Sequence, residues 1–198
     1  MLGPWNRRAV SVLAMTLLVP ALARGEDDTS SETKPGYAQL LATAFVGDGL
    51  RFNNPYRLAT PLGSSAESVS RSSTYVDIGA AAMLGNPLGV LHGLAVRGSF
   101  AVEGVRQAVL VPAYVGWKRW RTWAVYGRAG VPFVASPEAT WGLELGAGGV
   151  WFARAGIGVA AELVGDVFYG AGTREVARPA YPVLSAQLGL VLAYEVLP

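Results

Sequence analysis

The stretch TWGLELGAGGVWF, residues 140–152, alternates with a period of two. Its odd positions are Trp141, Leu143, Leu145, Ala147, Gly149 and Trp151, an apolar face with an aromatic residue at each end. Its even positions are Gly142, Glu144, Gly146, Gly148, Val150 and Phe152, mostly small residues with one carboxylate among them. Trp141 and Trp151 are ten residues apart. At ~3.3 Å per residue this is about 33 Å along a strand. A tilt near 40° projects that length to roughly 25 Å, the height of the apolar band between the aromatic girdles of a membrane barrel. The spacing predicts a membrane-crossing strand with Trp141 and Trp151 at the two girdles and Glu144 directed inward.

The same alternation recurs along the chain. Residues 157–169 set Ile157, Val159, Ala161, Leu163, Val167 and Tyr169 against Glu162 and Asp166. Residues 182–196 set Leu184, Leu188, Leu190, Leu192 and Tyr194 against Ser185, Gln187 and Glu195. Trp123, Val125, Ala129 and Phe133 oppose Tyr126 and Arg128; Leu94, Val96 and Phe100 oppose Arg97 and Ser99; Val76, Ile78 and Leu84 oppose Tyr75 and Asp77. In residues 107–117, Val109, Val111, Ala113, Val115 and Trp117 oppose Leu110, Pro112 and Tyr114, and the more regular set, with Trp117, is assigned to the outer face. In residues 37–47, Leu40, Ala42, Ala44 and Val46 oppose Gln39, Leu41, Thr43 and Phe45. These make eight strands, most of them 11–15 residues long. Strands of soluble proteins are nearer 5–6 residues, and those crossing an outer membrane need about 9–11.

The N-terminus reads MLGPWNRRAVSVLAMTLLVPALARGEDD. Arg7 and Arg8, an apolar run over residues 9–19 and the small-x-small site Ala21-Leu22-Ala23 predict a secretory signal peptide over residues 1–23. The run is short of the roughly 20 residues that a spanning helix needs. Residues 24–36 read as a flexible polar linker, and residues 37–198 as one barrel domain. The whole chain has 16 basic and 14 acidic residues; losing Arg7 and Arg8 leaves 14 against 14. No basic stripe remains to attract nucleic acid. With no cysteine and one histidine, the composition offers no disulfide framework, no thiolate metal site and no expected cofactor.

A secreted lipocalin-like barrel would carry the same alternation with its apolar face inside. Two features favour the opposite arrangement. The apolar faces carry no charge through the middle of any strand, and the polar faces are rich in glycine and alanine, which leaves room in a narrow lumen. The connections also alternate in length. Residues 48–73 and 170–181 are long, and residues 86–89, 118–121 and 153–156 are tight, as in barrels with short periplasmic turns and long outer loops.

The fold class expected is therefore all-β: an eight-stranded antiparallel transmembrane up-and-down β-barrel behind a cleaved signal peptide. The chain resembles the small eight-stranded outer-membrane barrels of Gram-negative bacteria, the class of the OmpA transmembrane domain, over residues 37–198 and by pattern. The resemblance implies a bacterial outer-membrane location. It also implies outer-membrane lipids and the barrel-assembly machinery as partners, and a monomer. It departs from that class at the C-terminus: Tyr194-Glu195-Val196-Leu197-Pro198 keeps an aromatic at Tyr194 but lacks a terminal one. Pro112, inside a strand, predicts a bulge or a strained spot.

Some barrels of that class are lipid enzymes with histidine and serine near the rim. Here His92 in LHGLAV stands without a His-x-Ser, and it is expected on the outer face near the periplasmic end of its strand. A general base needs a nucleophile within reach, so no catalytic residue is assigned. The inward charges make one lateral row: Asp77 opposite Arg97, Arg128 opposite Glu144, Glu144 opposite Asp166, Pro112 between the arginines and Glu162 one step away. Such a row is a plug that fills the lumen. The aromatic girdle is expected from Trp117, Trp123, Trp141, Trp151, Tyr169 and Tyr194. The function expected is structural or interactive, with an extracellular ligand met by loops 48–73 and 170–181. A small gated pore and a lipid-modifying enzyme are the alternatives.

Overall fold

The computed structural model describes residues 37–52, 69–87, 89–103, 107–136, 139–154, 156–169 and 180–196. The expected signal peptide, the linker, most of the two long loops and the last two residues lie outside them. Among the described residues ten strands form one antiparallel sheet: β1 Tyr37–Phe52, β2 Val69–Arg71, β3 Tyr75–Gly85, β4 Val90–Ala101, β5 Ala108–Arg119, β6 Trp123–Gly130, β7 Phe133–Ser136, β8 Thr140–Arg154, β9 Ile157–Tyr169 and β10 Ala180–Val196. β10 pairs back onto β1, which closes the sheet into a barrel. β2 is a short addition to the loop end of β1, and β6 and β7 together form one stave, so the wall has eight staves.

The register fixes the tilt. One circuit of paired residues runs Ala38, Leu84, His92, Gly116, Gly127, Ala147, Leu163, Ala186 and back to β1 at Asp48. The circuit therefore returns ten residues above its start, from 38 to 48. With ~3.3 Å rise and ~4.8 Å between strands, a shear of ten over eight staves gives a tilt of about 41°. The 40° that made Trp141 and Trp151 span about 25 Å is thus a property of this wall.

Inward and outward faces follow the expected parity on seven staves. The eighth, β5, is a correction. Val111, Ala113, Val115 and Trp117 are buried in the lumen, while Leu110 and Tyr114 are exposed outside. Neither face of β5 carries a charge before Lys118, so alternation alone gave the face no sign. Three strand boundaries also differ from the expectation. β1 runs on to Phe52 and β2 pairs with it, so the first long loop is shorter than residues 48–73. β7 carries its stave past Phe133 to Ser136, and β10 takes Ala180 and Tyr181 out of the second long loop.

Pro112 marks a gap in the ladder. Its carbonyl accepts from the Val131 amide at 3.1 Å, so its missing N–H would point the same way, toward β6 and β7. Pairing lapses there between Ala113↔Gly130 and Leu110↔Phe133, and Pro132 lies in the gap on the opposite side. The register is the same on both sides of the gap; the bulge itself falls further along, between Ala108 and Val109. At the narrow-turn end, Gly89 N donates to Asn86 O and Gly156 takes φ +82, a value that glycine adopts without a Cβ penalty.

Candidate functional site

Two layers fill the lumen. Near the tight turns lies an apolar cluster that includes Leu41, Met83, Leu91, Trp117, Val150 and Phe152. Trp117 stacks on Tyr126, with ring centroids 5.7 Å apart, and meets Phe152 at 6.1 Å. With 3% of its surface exposed, Trp117 belongs to this core and not to the girdle where the sequence pattern set it.

Above this layer sit the charges. All six expected lumen residues, Asp77, Arg97, Arg128, Glu144, Glu162 and Asp166, are buried on the inward face. Their partners are the expected ones, Asp77 with Arg97 and Arg128 with Glu144, but their register differs. Arg97 lies across from Gly79 and Arg128 across from Gly146, each two residues away from the carboxylate expected opposite it. The ion pairs run diagonally instead. Arg97 Nε donates to Asp77 Oδ1 at 2.9 Å, and Arg128 pairs with Glu144. Glu144 does lie directly across from Asp166.

Glu162 is the hub. Its carboxylate accepts from Arg97 Nη1 at 3.1 Å, from Arg128 Nε, from the Tyr126 hydroxyl at 2.8 Å and from Gln187 Nε2 at 2.8 Å. Four donors from three staves, β4, β6 and β10, thus meet on one side chain. This arrangement meets the requirement that buried charge be paired and hydrogen-bonded. Sequence reading named Glu162 as a neighbour of the row, and it missed Gln187 and Tyr126. Both sit at inward parity, which was the available signal.

Glycine makes the hub possible. A Cβ on Gly146 would stand 2.5 Å from Glu162 Oε1 and 2.8 Å from Arg128 Nε. A Cβ on Gly79 would stand 2.7 Å from Arg97 Cγ. Gly79 and Gly146 are therefore seats for the side chains of Arg97 and Arg128, beyond the general role of small residues in a narrow lumen.

Outside, Trp123, Trp141, Trp151 and Tyr194 are exposed, and Tyr169 is partly so. They form two levels. Trp123 meets Trp151 at 6.5 Å near the tight turns, and Trp141 meets Tyr169 at 5.1 Å near the opposite end. Trp120 joins the first level, and Phe100 and Phe133 the second. His92 is outward-facing in β4, where the Tyr114 hydroxyl lies 2.6 Å from its Nδ1. At the loop end, Arg71 pairs with Asp48 and Glu103, and Thr74 donates from its hydroxyl to Glu103 at 2.7 Å and from its amide at 3.1 Å. The Thr74 hydroxyl bond, with that from the amide, holds the Glu103 carboxyl below its ordinary pKa.

Among solved structures, the chain is similar to a de novo designed transmembrane β-barrel, at 11% identity and TM-score 0.46, covering 79% of this chain and 95% of that one. It is also similar to the N-terminal β-barrel domain of Pseudomonas aeruginosa OprF, at 13% identity and TM-score 0.45, covering 77% and 97%. No family model and no curated protein matches the sequence.

Proposed function

We propose that this chain is an outer-membrane barrel, delivered by a cleaved signal peptide, whose role is structural or interactive and is exerted by its long loops at the cell surface. The observation that carries the reading is the outer belt. Between His92 and Lys118 at one level and Asp48 at the other, every outward side chain is apolar apart from the Tyr114 hydroxyl, which is bonded to His92. Leu94 is 71% exposed, Leu188 63% and Leu145 62%. A belt of this kind around a whole barrel far exceeds the 300–600 Å² that monomers expose to water. Charges lie inside and apolar residues outside, which is the reverse of a lipocalin-like barrel. The aromatic levels stand about 25 Å apart along the axis, which suits an outer-membrane apolar band.

The packed layer around Trp117 and the Glu162 hub favours a plugged lumen over a small pore. The outward His92 is bonded to the Tyr114 phenol, and among the described residues no serine, threonine or cysteine is bonded to it, which favours an interfacial role over that of a lipid enzyme.

The test is expression in a Gram-negative host. The chain should co-fractionate with the outer membrane, lose residues 1–23 and require detergent once extracted. Protease added to intact cells should cut within residues 53–68 and 170–179 and spare Asn86–Gly89. A chain that stays monomeric in buffer without detergent would overturn the membrane reading, and cleavage in the reverse pattern would invert its orientation.

A further inference from the structure

Above the Glu162 hub the lumen widens into a cavity of about 90 Å³ that reaches toward the long-loop end, lined among others by Arg51, Tyr75, Asp166, Ser185 and Gln187. Four carboxylates face the upper lumen, Asp77, Glu144, Glu162 and Asp166, against the two arginines of the hub. Arg97 is shared between Asp77 and Glu162, and Arg128 between Glu144 and Glu162. Asp166 is left over. It is 9% exposed, its Oδ1 has no hydrogen-bond partner, and it lines the cavity. Gln187 is 3% exposed; its Nε2 is committed to Glu162, and its Oε1 is likewise unpartnered beside the same cavity. The unmet groups of Asp166 and Gln187 are both carbonyl-type oxygens, and Asp166, when ionised, is an unpaired carboxylate next to Glu144, directly across the ladder.

An unpaired carboxylate beside a second one is costly in a confined, poorly hydrated site. Water satisfies an acceptor but does not neutralise it. Among the described residues that line this cavity, the cation besides Arg128 is Arg51, whose guanidinium carbon lies 5.5 Å from the Tyr181 ring centre. The cavity has room for several waters or one partly hydrated ion, at ~10–15 Å³ per water centre. Its unpartnered acceptors, Asp166 Oδ1 and Gln187 Oε1, are oxygens, which suits a hard cation, and the unpartnered Nε of Arg51 is the competing donor.

We propose that this vestibule binds a hard inorganic cation from the long-loop side, with Asp166 as its charged ligand and Gln187 Oε1 as a neutral one. One free carboxylate is fewer than a tight calcium site uses, so the expected dissociation constant is in the weak range, about 10⁻⁴–10⁻³ M. The inference rests on the lumen geometry and does not depend on the role of the loops.

The experiment uses the full mature chain folded in uncharged detergent micelles at pH 8. Calcium chloride is titrated against choline chloride at matched ionic strength, with binding read by calorimetry and by the thermal midpoint. One saturable site that raises the midpoint is expected. Asp166→Asn should fold at least as well without calcium, because an unpaired charge is gone, and should lose about 10-fold or more in affinity. Glu103→Gln, which removes a carboxylate at the outer rim, should leave the titration unchanged. No binding up to about 10 mM, well above that weak range, would overturn the proposal. So would binding that survives Asp166→Asn or disappears in Glu103→Gln. If Arg51 folds inward and takes the place of the ion, the native chain will not respond and Arg51→Ala will; that result too would overturn it.

Discussion

Arg128 stands directly across the β6–β8 ladder from Gly146, and the ion pair it makes runs diagonally to Glu144, two residues along the same strand. A side chain as long as arginine cannot lie flat against a facing side chain in so narrow a lumen. It lies over a glycine and reaches sideways. The same relation holds for Arg97 over Gly79, with Asp77 two residues along.

Gly146→Ala should therefore cost stability although β-strands generally disfavour glycine. The new methyl meets Glu162 Oε1 and Arg128 Nε, both anchored in the hub, and overpacking of this kind costs about 1–3 kcal/mol. Gly149→Ala on the outward face is the control. Its nearest neighbour would be a carbonyl oxygen 3.7 Å away, an ordinary contact, so the change should stay within about 0.5 kcal/mol. Urea unfolding in micelles measures both. Equal losses at the two positions would mean that the hub gives way freely around Gly146.

The eight staves were legible because alternation over 11–15 residues is a strong signal, and because charge tells inward from outward wherever one face carries it. On β5 it does not, since Val111, Val115 and Trp117 inside are as apolar as Leu110 and Tyr114 outside. Side-chain size gave no sign either, as the lumen accepts a tryptophan where Tyr126 and Phe152 pack around it. The lateral row was legible as a set of residues and in its pairs Asp77–Arg97 and Arg128–Glu144, but not in its register or in the joining role of Glu162. Pairing was read straight across the ladder, whereas the arginines lean diagonally. Asp166 shows the limit of that reading: it lies opposite Glu144, as expected, and that position leaves it facing a like charge.

The reassignment of Trp117 has an optical consequence. In lipid bilayers, single-tryptophan variants that retain Trp123, Trp141 or Trp151 should be quenched by bromine-labelled acyl chains, because those rings face outward. A variant that retains Trp117 should be shielded. Trp117→Ala should also destabilise the barrel by about 3–5 kcal/mol, as for a large buried aromatic. Quenching of Trp117 comparable to that of Trp141 would restore β5 to its expected face.

At the rim, Glu103 ties the end of β4 to Thr74 and Arg71. Its pKa is lowered on folding, chiefly by the Thr74 hydroxyl bond, so the sign is that of a depressed acid. The contribution is present above the unfolded value of about 4.3 and fades as pH falls through the folded value. The protection factor of the Thr74 amide should therefore drop below about pH 4, and Glu103→Gln should remove most of that dependence. A protection factor unchanged by acid would show that Glu103 does not hold Thr74 in solution.

The hub makes the sharpest claim about the lumen, because it ranks Glu162, which the sequence set one step outside the row, above Glu144, which it set inside. Glu144 serves one arginine, and that arginine also holds Glu162. Glu144→Gln should then cost about 1.5–3 kcal/mol, the scale of a hydrogen bond to a charged group. Glu162 serves both arginines, Tyr126 and Gln187. Glu162→Gln keeps the shape but turns an acceptor into an NH₂ among four donors, and it strips half the counter-charge from both guanidinium groups. The cost should reach about 3–5 kcal/mol, as for breaking a buried pair. Arg128→Ala combined with Glu162→Ala should lose less than the sum of the single changes, by about 0.5–3 kcal/mol, since each removes a partner of the other. Urea unfolding of the set in micelles decides the ranking. If Glu144→Gln proves as damaging as Glu162→Gln and the pair is additive, the row is held by separate neighbouring pairs, and Glu162 is not the side chain that joins them.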